Sequence, residues 1–146
     1  MALRLAVACL AMTVLVPAEA AAAGKGRAAE RALVEAVNDA RQRHGLRPLR
    51  QSRPLARSAG RAARRLMKRD SFHHTGGPAG SRSWGEAIAA HRGWRARARR
   101  TVRGWLRSAS HRAVLLGRFR GIGAGMKRGR MGRRLMTVWV LHVGGR

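Results

Sequence analysis

The sequence predicts an α+β fold in which a small antiparallel sheet lies between layers of helices. Apolar residues recur at helical spacing in three segments before residue 110, whereas two β-rich runs follow residue 118. In the first run, glycine alternates with apolar residues from Gly121 to Met126, which lets a helix pack closely on one face of a sheet. The second run, Leu135 to Val143, completes a closing hairpin with the first.

The first 23 residues have the features of a secretory signal peptide. Arg4 supplies a positive charge, Leu5 to Val16 form an uncharged apolar run, and Ala18-Glu19-Ala20 places small residues at cleavage-site spacing. The run contains about twelve apolar residues, whereas a membrane span needs roughly 20. We therefore expect a secreted, periplasmic or extracellular protein without a transmembrane anchor in the mature chain. Residues 24–29 are predicted as a disordered lead-in, and residues 30–146 as one domain.

Charge and cysteine content limit the possible function classes. The chain has 32 Lys and Arg against 6 Asp and Glu, a net charge of +26, which is typical of polyanion binders. Only three of the basic residues are lysines, and a GC-rich genome also produces such an arginine excess at exposed positions. Since exported proteins rarely meet DNA, we expect no nucleic-acid partner. The only cysteine, Cys9, lies in the predicted signal peptide, so the mature chain would be cysteine-free and without disulfides.

Capping and stop signals give approximate bounds for the three predicted helices. The first covers residues 30–44, with Gly45 as its stop. The second begins after Ser52 as N-cap and runs to about Arg69. The third covers Thr101 to Ser108 and is followed by a serine-bounded turn that presents a histidine and then by a short apolar turn.

Several motifs, taken together, match one family. Trp105 to Gly125 reads W-x-x-S-x-x-H-R-x-x-L-L and then F-x-x-I-G-x-G, and Trp84 to Ala89 reads W-G-E-A-I-A. An aromatic residue and two histidines, Phe72-His73-His74, follow the second helix. The first helix matches L-x-x-x-N-x-x-R-x-x-x-G-L-x-P-L at seven positions: Val34, Asn38, Arg41, Gly45, Leu46, Pro48 and Leu49. Over about residues 30 to 145, the chain resembles the CAP superfamily, or SCP domain, in its short bacterial form.

This resemblance implies a three-layer α-β-α sandwich with a small antiparallel sheet. It also implies a cleft lined by His74, Glu86 and His111, with Ser108 where the family often has a second acid. Some family members bind zinc or another divalent ion there, so His74, His111 and Glu86 form the candidate metal-ligand set. Two imidazoles and one carboxylate are compatible with Zn²⁺ and one open water position.

The residues alone leave other roles open. Glu86 could instead cap a helix start or pair with one of the many arginines, and Asn38 and Arg41 could lie on a solvated face or make structural hydrogen bonds. His91 and His142 match no family site and are predicted to be structural or exposed. Asp70 is near the candidate cleft in sequence but has no predicted position.

The function that these observations favour is a binding module at or outside the cell envelope. Lipid and anionic envelope polymers are its candidate ligands. No nucleophile elbow, H-E-x-x-H or phosphate-binding loop is present in the sequence, and we expect no catalysis. One alternative is a metal-dependent hydrolase of peptide or cell-wall material, with His74 and His111 as metal ligands and Glu86 as ligand or base. A second alternative is a basic polyanion-binding protein.

Overall fold

The computed structural model describes residues 18–77 and 83–145. Residues 1–17, which make up most of the predicted signal peptide, lie outside this part, so that prediction is untested. Helix α1 (Ala18–Arg43) includes residues 24–29, which differs from the disordered lead-in predicted there. Alanines surround Gly24 and Gly26, and their high helix propensity offsets the cost of the two glycines.

Within the described residues, eight elements form a mixed four-stranded sheet with helices on both faces. After α1 they are β1 (Arg50–Gln51), α2 (Arg53–Lys68), β2 (Trp84–Arg92), α3 (Ala98–Arg107), α4 (Ala109–Leu116), β3 (Gly121–Met131) and β4 (Arg134–Gly144). The strand order is β1-β3-β4-β2, and the three long strands are antiparallel. The hairpin of β3 and β4 was predicted, whereas no strand was predicted at β2. The short β1 pairs parallel to β3, which makes the sheet mixed. This strand was not predicted, because two residues are too few to give a strand pattern in the sequence.

Two hydrophobic clusters, one on each face of the sheet, confirm the three-layer sandwich. Val138 and Val140 of β4 pack with α2, whereas Trp139, Leu141 and Val143 pack with α1, α3 and α4. This alternation follows from the period of two along a strand. The core of the protein is therefore divided by the sheet, with the larger cluster on the α1 side.

The glycine alternation in β3 has the predicted role. A Cβ atom on Gly123 would lie 2.1 Å from the backbone nitrogen of Ala56, and one on Gly125 would lie 2.3 Å from the backbone of Ala59. No real Cβ atom tolerates such distances, so glycine is what allows α2 to approach β3 backbone to backbone. Ser52 caps α2 by accepting a hydrogen bond from a backbone N–H in its first turn, also as predicted.

The predicted turn around His111 is wrong, because these residues form the helix α4. Ser108 is both the last cap of α3 and the first cap of α4, in an extended conformation that redirects the chain. The segment after it has no glycine or proline before Gly117, and Leu115 is fully buried. A helical turn buries that leucine and satisfies its backbone at the same time.

Two polar residues of α1 hold neighbouring segments in place, which resolves the alternatives left open for them. Asn38 donates to the Leu49 carbonyl (3.1 Å) and accepts from the Leu49 N–H (2.9 Å). Arg41 is only 4% exposed and donates to the carbonyls of Leu115 (2.7 Å) and Gly117 (3.0 Å). These carbonyls end α4 and have no helical partner, so Arg41 fixes the end of the helix that carries His111.

Candidate functional site

Glu86 is the centre of a buried polar cluster at one edge of the sheet. It lies on β2 and is 6% exposed, on the face that β2 turns toward α2. Its carboxylate has four contacts: His74 Nδ1 at 2.8 Å and the Thr75 N–H at 2.9 Å on Oε1, and the Thr75 hydroxyl and His142 Nε2, the latter at 3.0 Å, on Oε2. Because a carboxylate only accepts hydrogen bonds, both histidine nitrogens donate to it.

These contacts determine the charge of Glu86. Burial alone would raise its pKa, but the hydrogen bonds from His142, from the hydroxyl and N–H of Thr75, and from His74 lower the pKa to about 2. The carboxylate is therefore ionised at neutral pH and is a weak base. Each of its two oxygens already accepts two hydrogen bonds, so Glu86 holds the surrounding residues in place.

His74 projects from the loop after α2 and is held by Glu86. Its Nδ1 donates to Glu86, which leaves Nε2 as the nitrogen with a free lone pair in the neutral ring. The side chain is 63% exposed, so this nitrogen is accessible to a ligand. A carboxylate behind a histidine is the arrangement that orients metal-binding imidazoles in other proteins.

His111 lies on α4 and faces His74, with ring centroids 6.2 Å apart. Its Nδ1 is 3.0 Å from the Ser108 hydroxyl, and its ring is 6.3 Å from that of Trp105. Burial lowers the pKa of His111, and the neighbouring His74 lowers it further. Nε2 of His111 is buried and has no hydrogen-bond partner in the described part of the chain, so it is a polar atom without compensation.

The four predicted site residues thus lie together, but not as the predicted three-ligand set. Within residues 18–77 and 83–145, no group of three or more His, Cys, Asp or Glu side chains could hold a metal ion. Glu86 is occupied by its four donors, and the nitrogen atoms left are Nε2 of His74 and Nε2 of His111. Two imidazoles provide half of a tetrahedral zinc shell, so water or a bound ligand would have to supply the rest.

His142 and Thr75 belong to the cluster, and the sequence analysis assigned neither to it. His142 is fully buried on β4 and has the structural role that was one of its two predicted outcomes. The sequence holds a signal for it, because His142 continues the alternation of Val138 and Val140 on one face of a buried strand. Thr75 has no such signal, since its hydroxyl reaches Glu86 only through the path of a loop.

Asp70 is not part of the cluster. It follows the C-cap residue of α2 with a positive φ of 50°, and its carboxylate lies next to Gly132 in the turn between β3 and β4. It therefore supplies no second carboxylate to the His74–His111 pair. Ala87 is fully buried on the opposite face of β2.

A groove of about 630 Å³ extends from His111 along the outer edge of the sheet. One wall is β2 from Ile88 to His91, and the other is α3 from Arg100 to Arg107. Phe72 lies at its margin and is 50% exposed. We call this feature the β2–α3 groove. It is open to solvent beside the histidine pair.

Known structures resemble this fold at low sequence identity. An extracellular protein containing an SCP domain from Bacillus anthracis superposes with a TM-score of 0.70 and 20% identity, over 92% of this chain and 45% of that one. An outer surface protein from Borrelia burgdorferi gives a TM-score of 0.59 and 21% identity, over 80% and 91% of the two chains. Venom allergen-like protein 4 from Schistosoma mansoni gives 0.59 and 15%, over 81% and 90%.

The sequence comparisons identify the family. No curated protein sequence matches the chain. None of the described helices is long and apolar enough to cross a membrane. The sequence model of the cysteine-rich secretory protein family, CAP, matches residues 34–143, which is most of the chain and includes every residue of the polar cluster. The protein therefore belongs to the CAP family of cysteine-rich secretory proteins.

Proposed function

We propose that this protein is an exported binding module that acts at or outside the cell envelope, with the His74–His111 pair as its binding centre. The observation that carries the proposal is the pair itself, two facing imidazoles of which one has a buried nitrogen with no partner among residues 18–77 and 83–145. Uncompensated buried polar atoms are rare in native proteins, and a bound ligand would compensate this one. Export is supported by the predicted signal peptide and by structural neighbours described as an extracellular and an outer surface protein.

The chemistry of Glu86 favours binding over hydrolysis. A general base works best when its pKa is near the working pH, whereas the pKa of Glu86 is about 2. Four donors also occupy the oxygens that the hydrolase alternative needs for a metal or a water molecule. Glu86 instead acts as a positioning residue for His74.

A divalent ion fits the pair as a weakly held partner. His74 and His111 would each give one nitrogen, with Glu86 and Ser108 holding the opposite sides of the two rings. When bound, such an ion would provide a positive centre that attracts anionic or carbonyl groups of a ligand.

Calorimetric titration of Zn²⁺ into the metal-stripped mature protein tests this centre. We expect saturable one-to-one binding that is lost in His74→Ala and in His111→Ala and kept in His73→Ala. His73 is the matched control, because it is an exposed histidine next to His74 without a contact to Glu86 or His111 among those described. Circular dichroism at the same pH verifies that each variant is folded. If the wild type does not bind, or if all three variants bind alike, the pair is not the binding centre.

A further inference from the structure

A cavity of about 370 Å³ lies at the edge of the sheet opposite to β2, between α1 and the first turn of α2. Its floor consists of the buried apolar residues Val34, Ile122 and Ala124. Glu30 and three exposed arginines form part of its rim: Arg27, Arg31 and Arg53. We call this feature the α1–α2 cavity. None of its described lining residues belongs to the Glu86 cluster or to the His74–His111 pair, so it is separate from the proposed binding centre.

The outer edge of β3 faces this cavity, because β1 pairs with β3 only as far as Ile122 and the chain then leaves the sheet for α2. The Ile122 carbonyl accepts a hydrogen bond from the Ser52 N–H at 2.8 Å, and the Met126 N–H donates to Glu30 at 2.9 Å. Backbone groups of both β3 residues therefore point to the outer edge. Since this direction repeats every second residue along a strand, Ala124 also turns its N–H and C=O outward.

The outward groups of Ala124 have no partner in the part of the chain that the structure describes. The residue is nevertheless only 4% exposed, and it lines the cavity. Buried backbone N–H and C=O groups are paired in the great majority of native structures. One extended residue of a ligand would pair both groups, since it accepts from the N–H and donates to the C=O. The cavity therefore has the hydrogen-bonding groups for one residue of a peptide.

The neighbours of Ala124 on this edge leave space for that one residue only. Two residues further along β3, Glu30 already holds the Met126 N–H. Two residues back, the Ile122 carbonyl is paired with Ser52, where α2 begins. A ligand that runs antiparallel to β3 has its C-terminal direction toward β1, so its chain has to end at Ala124. A terminal residue still makes both hydrogen bonds, because its carboxylate accepts and its N–H donates.

The charges at the rim determine which end of a ligand fits. Exposed arginines occur on all four helices of this chain of net charge +26, so they do not by themselves mark the cavity as a site. Within the cavity, however, Arg53 lies at the β1 end, directly after Ser52, whereas Glu30 lies at the Met126 end. A parallel ligand would place its ammonium group near the arginine, and an antiparallel ligand its carboxylate. The antiparallel arrangement is therefore the favourable one.

We propose that the α1–α2 cavity binds the C-terminal residue of a peptide, whose carboxylate and N–H pair with Ala124 and whose apolar side chain lies on the cavity floor. The carboxylate accepts from the Ala124 N–H, and Arg53 supplies a second, charge-assisted donor. The terminal amide N–H donates to the Ala124 C=O. Val34 and Ile122 contact the apolar side chain. This assigns a second site and its ligand class, beyond the proposed function of the histidine pair.

NMR titration of the ¹⁵N-labelled protein with the peptide acetyl-Gly-Ala-Val tests the inference at the residue that carries it. We expect the Ala124 amide proton to shift downfield and to saturate, because it gains a hydrogen bond to a carboxylate. The same peptide with an N-methylated valine keeps the charge but loses the donor, so it should bind at least about tenfold more weakly. Amidation of the C-terminus should weaken binding to a similar extent. An unshifted Ala124 amide at about 10 mM peptide, or equal affinity for the first two peptides, would overturn the proposal.

Two variants with matched controls locate the peptide. Ala56→Leu adds a side chain inside the cavity on a helical residue, so the fold should persist while binding weakens at least about tenfold. Ala28→Leu makes the same change at an exposed position of α1 outside the cavity and should leave binding within about twofold. Arg53→Gln should weaken binding about fivefold more than Arg61→Gln, which removes the same charge about 12 Å away on α2. Equal effects within either pair of variants would refute the cavity as the site.

An aliphatic carboxylate is the other ligand that an apolar floor and an arginine could attract. Octanoate has the charge and an apolar chain but no amide N–H, so we expect it not to displace the peptide at equal concentration. If octanoate displaces the peptide, the occupant is an aliphatic acid and the proposal is overturned. Because the cavity shares no residue with the His74–His111 pair, His111→Ala should leave peptide binding unchanged whether or not the pair binds Zn²⁺. Peptide binding that is lost in His111→Ala would place the peptide at the pair and overturn this inference alone.

Discussion

Replacing Glu86 with glutamine should destabilise the protein by a pH-dependent amount. The pKa of Glu86 is about 2 in the folded protein against 4.5 ordinarily, a difference of about 2.5 pH units or about 3 kcal/mol. Because the folded-state pKa is the lower one, this stabilisation is complete above about pH 5 and is lost as the pH falls toward 2. Glutamine has the same shape but cannot accept at both ends, so Glu86→Gln should lose about 3 kcal/mol at pH 7.

Urea unfolding of wild type and variant at pH 7 and pH 3.5 measures this difference. Linkage predicts that the difference in free energy of unfolding shrinks by about 1 kcal/mol between these two pH values. Glu35→Gln is the matched control, since Glu35 is exposed on α1, and its effect should stay within about 0.5 kcal/mol. A Glu86→Gln cost that is the same at pH 7 and pH 3.5 would refute the ionised, fourfold hydrogen-bonded carboxylate.

Three further perturbations probe other contacts. Gly125→Ala should destabilise the fold by at least about 2 kcal/mol in thermal unfolding, because its Cβ would lie 2.3 Å from the backbone of α2; an unchanged Tm would contradict that close packing. Arg41→Met should cost about 2 kcal/mol in urea unfolding, since it leaves the buried Leu115 carbonyl without its guanidinium donor, and Arg41→Lys should restore part of this. In NMR titration, the pKa of His111 should lie below 6.5 and rise in His74→Ala but remain below 6.5, because burial is the larger cause.

The parts of the fold that depend on local pattern could be predicted from the sequence. The alternating glycines of β3 indicated a close helix layer, and the cap signal at Ser52 located the start of α2. Helix α4 was not predicted, because a serine next to a histidine indicates a turn. The burial of Leu115, which favours a helix there, is known only from the structure. The strand β1 has only two residues, and its pairing depends on where β3 lies.

The sequence could predict which residues form the candidate site, but not the role of each residue in it. Family motifs identified His74, Glu86 and His111, and the structure brings them together with Ser108. That Glu86 would be surrounded by donors depends on His142, 56 residues away, and on the path of the loop at Thr75. Such contacts are set by tertiary packing, which periodicity and spacing along the sequence do not reveal.

The single-residue connection at Ser108 links the β2–α3 groove mechanically to the His74–His111 pair. Helix α3, a wall of the groove, ends at this serine, and α4, which carries His111, begins there. The same hydroxyl is 3.0 Å from the imidazole of His111. A shift of α3 that widens the groove would therefore reorient that ring. Anything that widens the groove would then alter ligand affinity at the His74–His111 pair, and thermodynamic reciprocity requires a ligand at the pair to alter the groove by the same free energy.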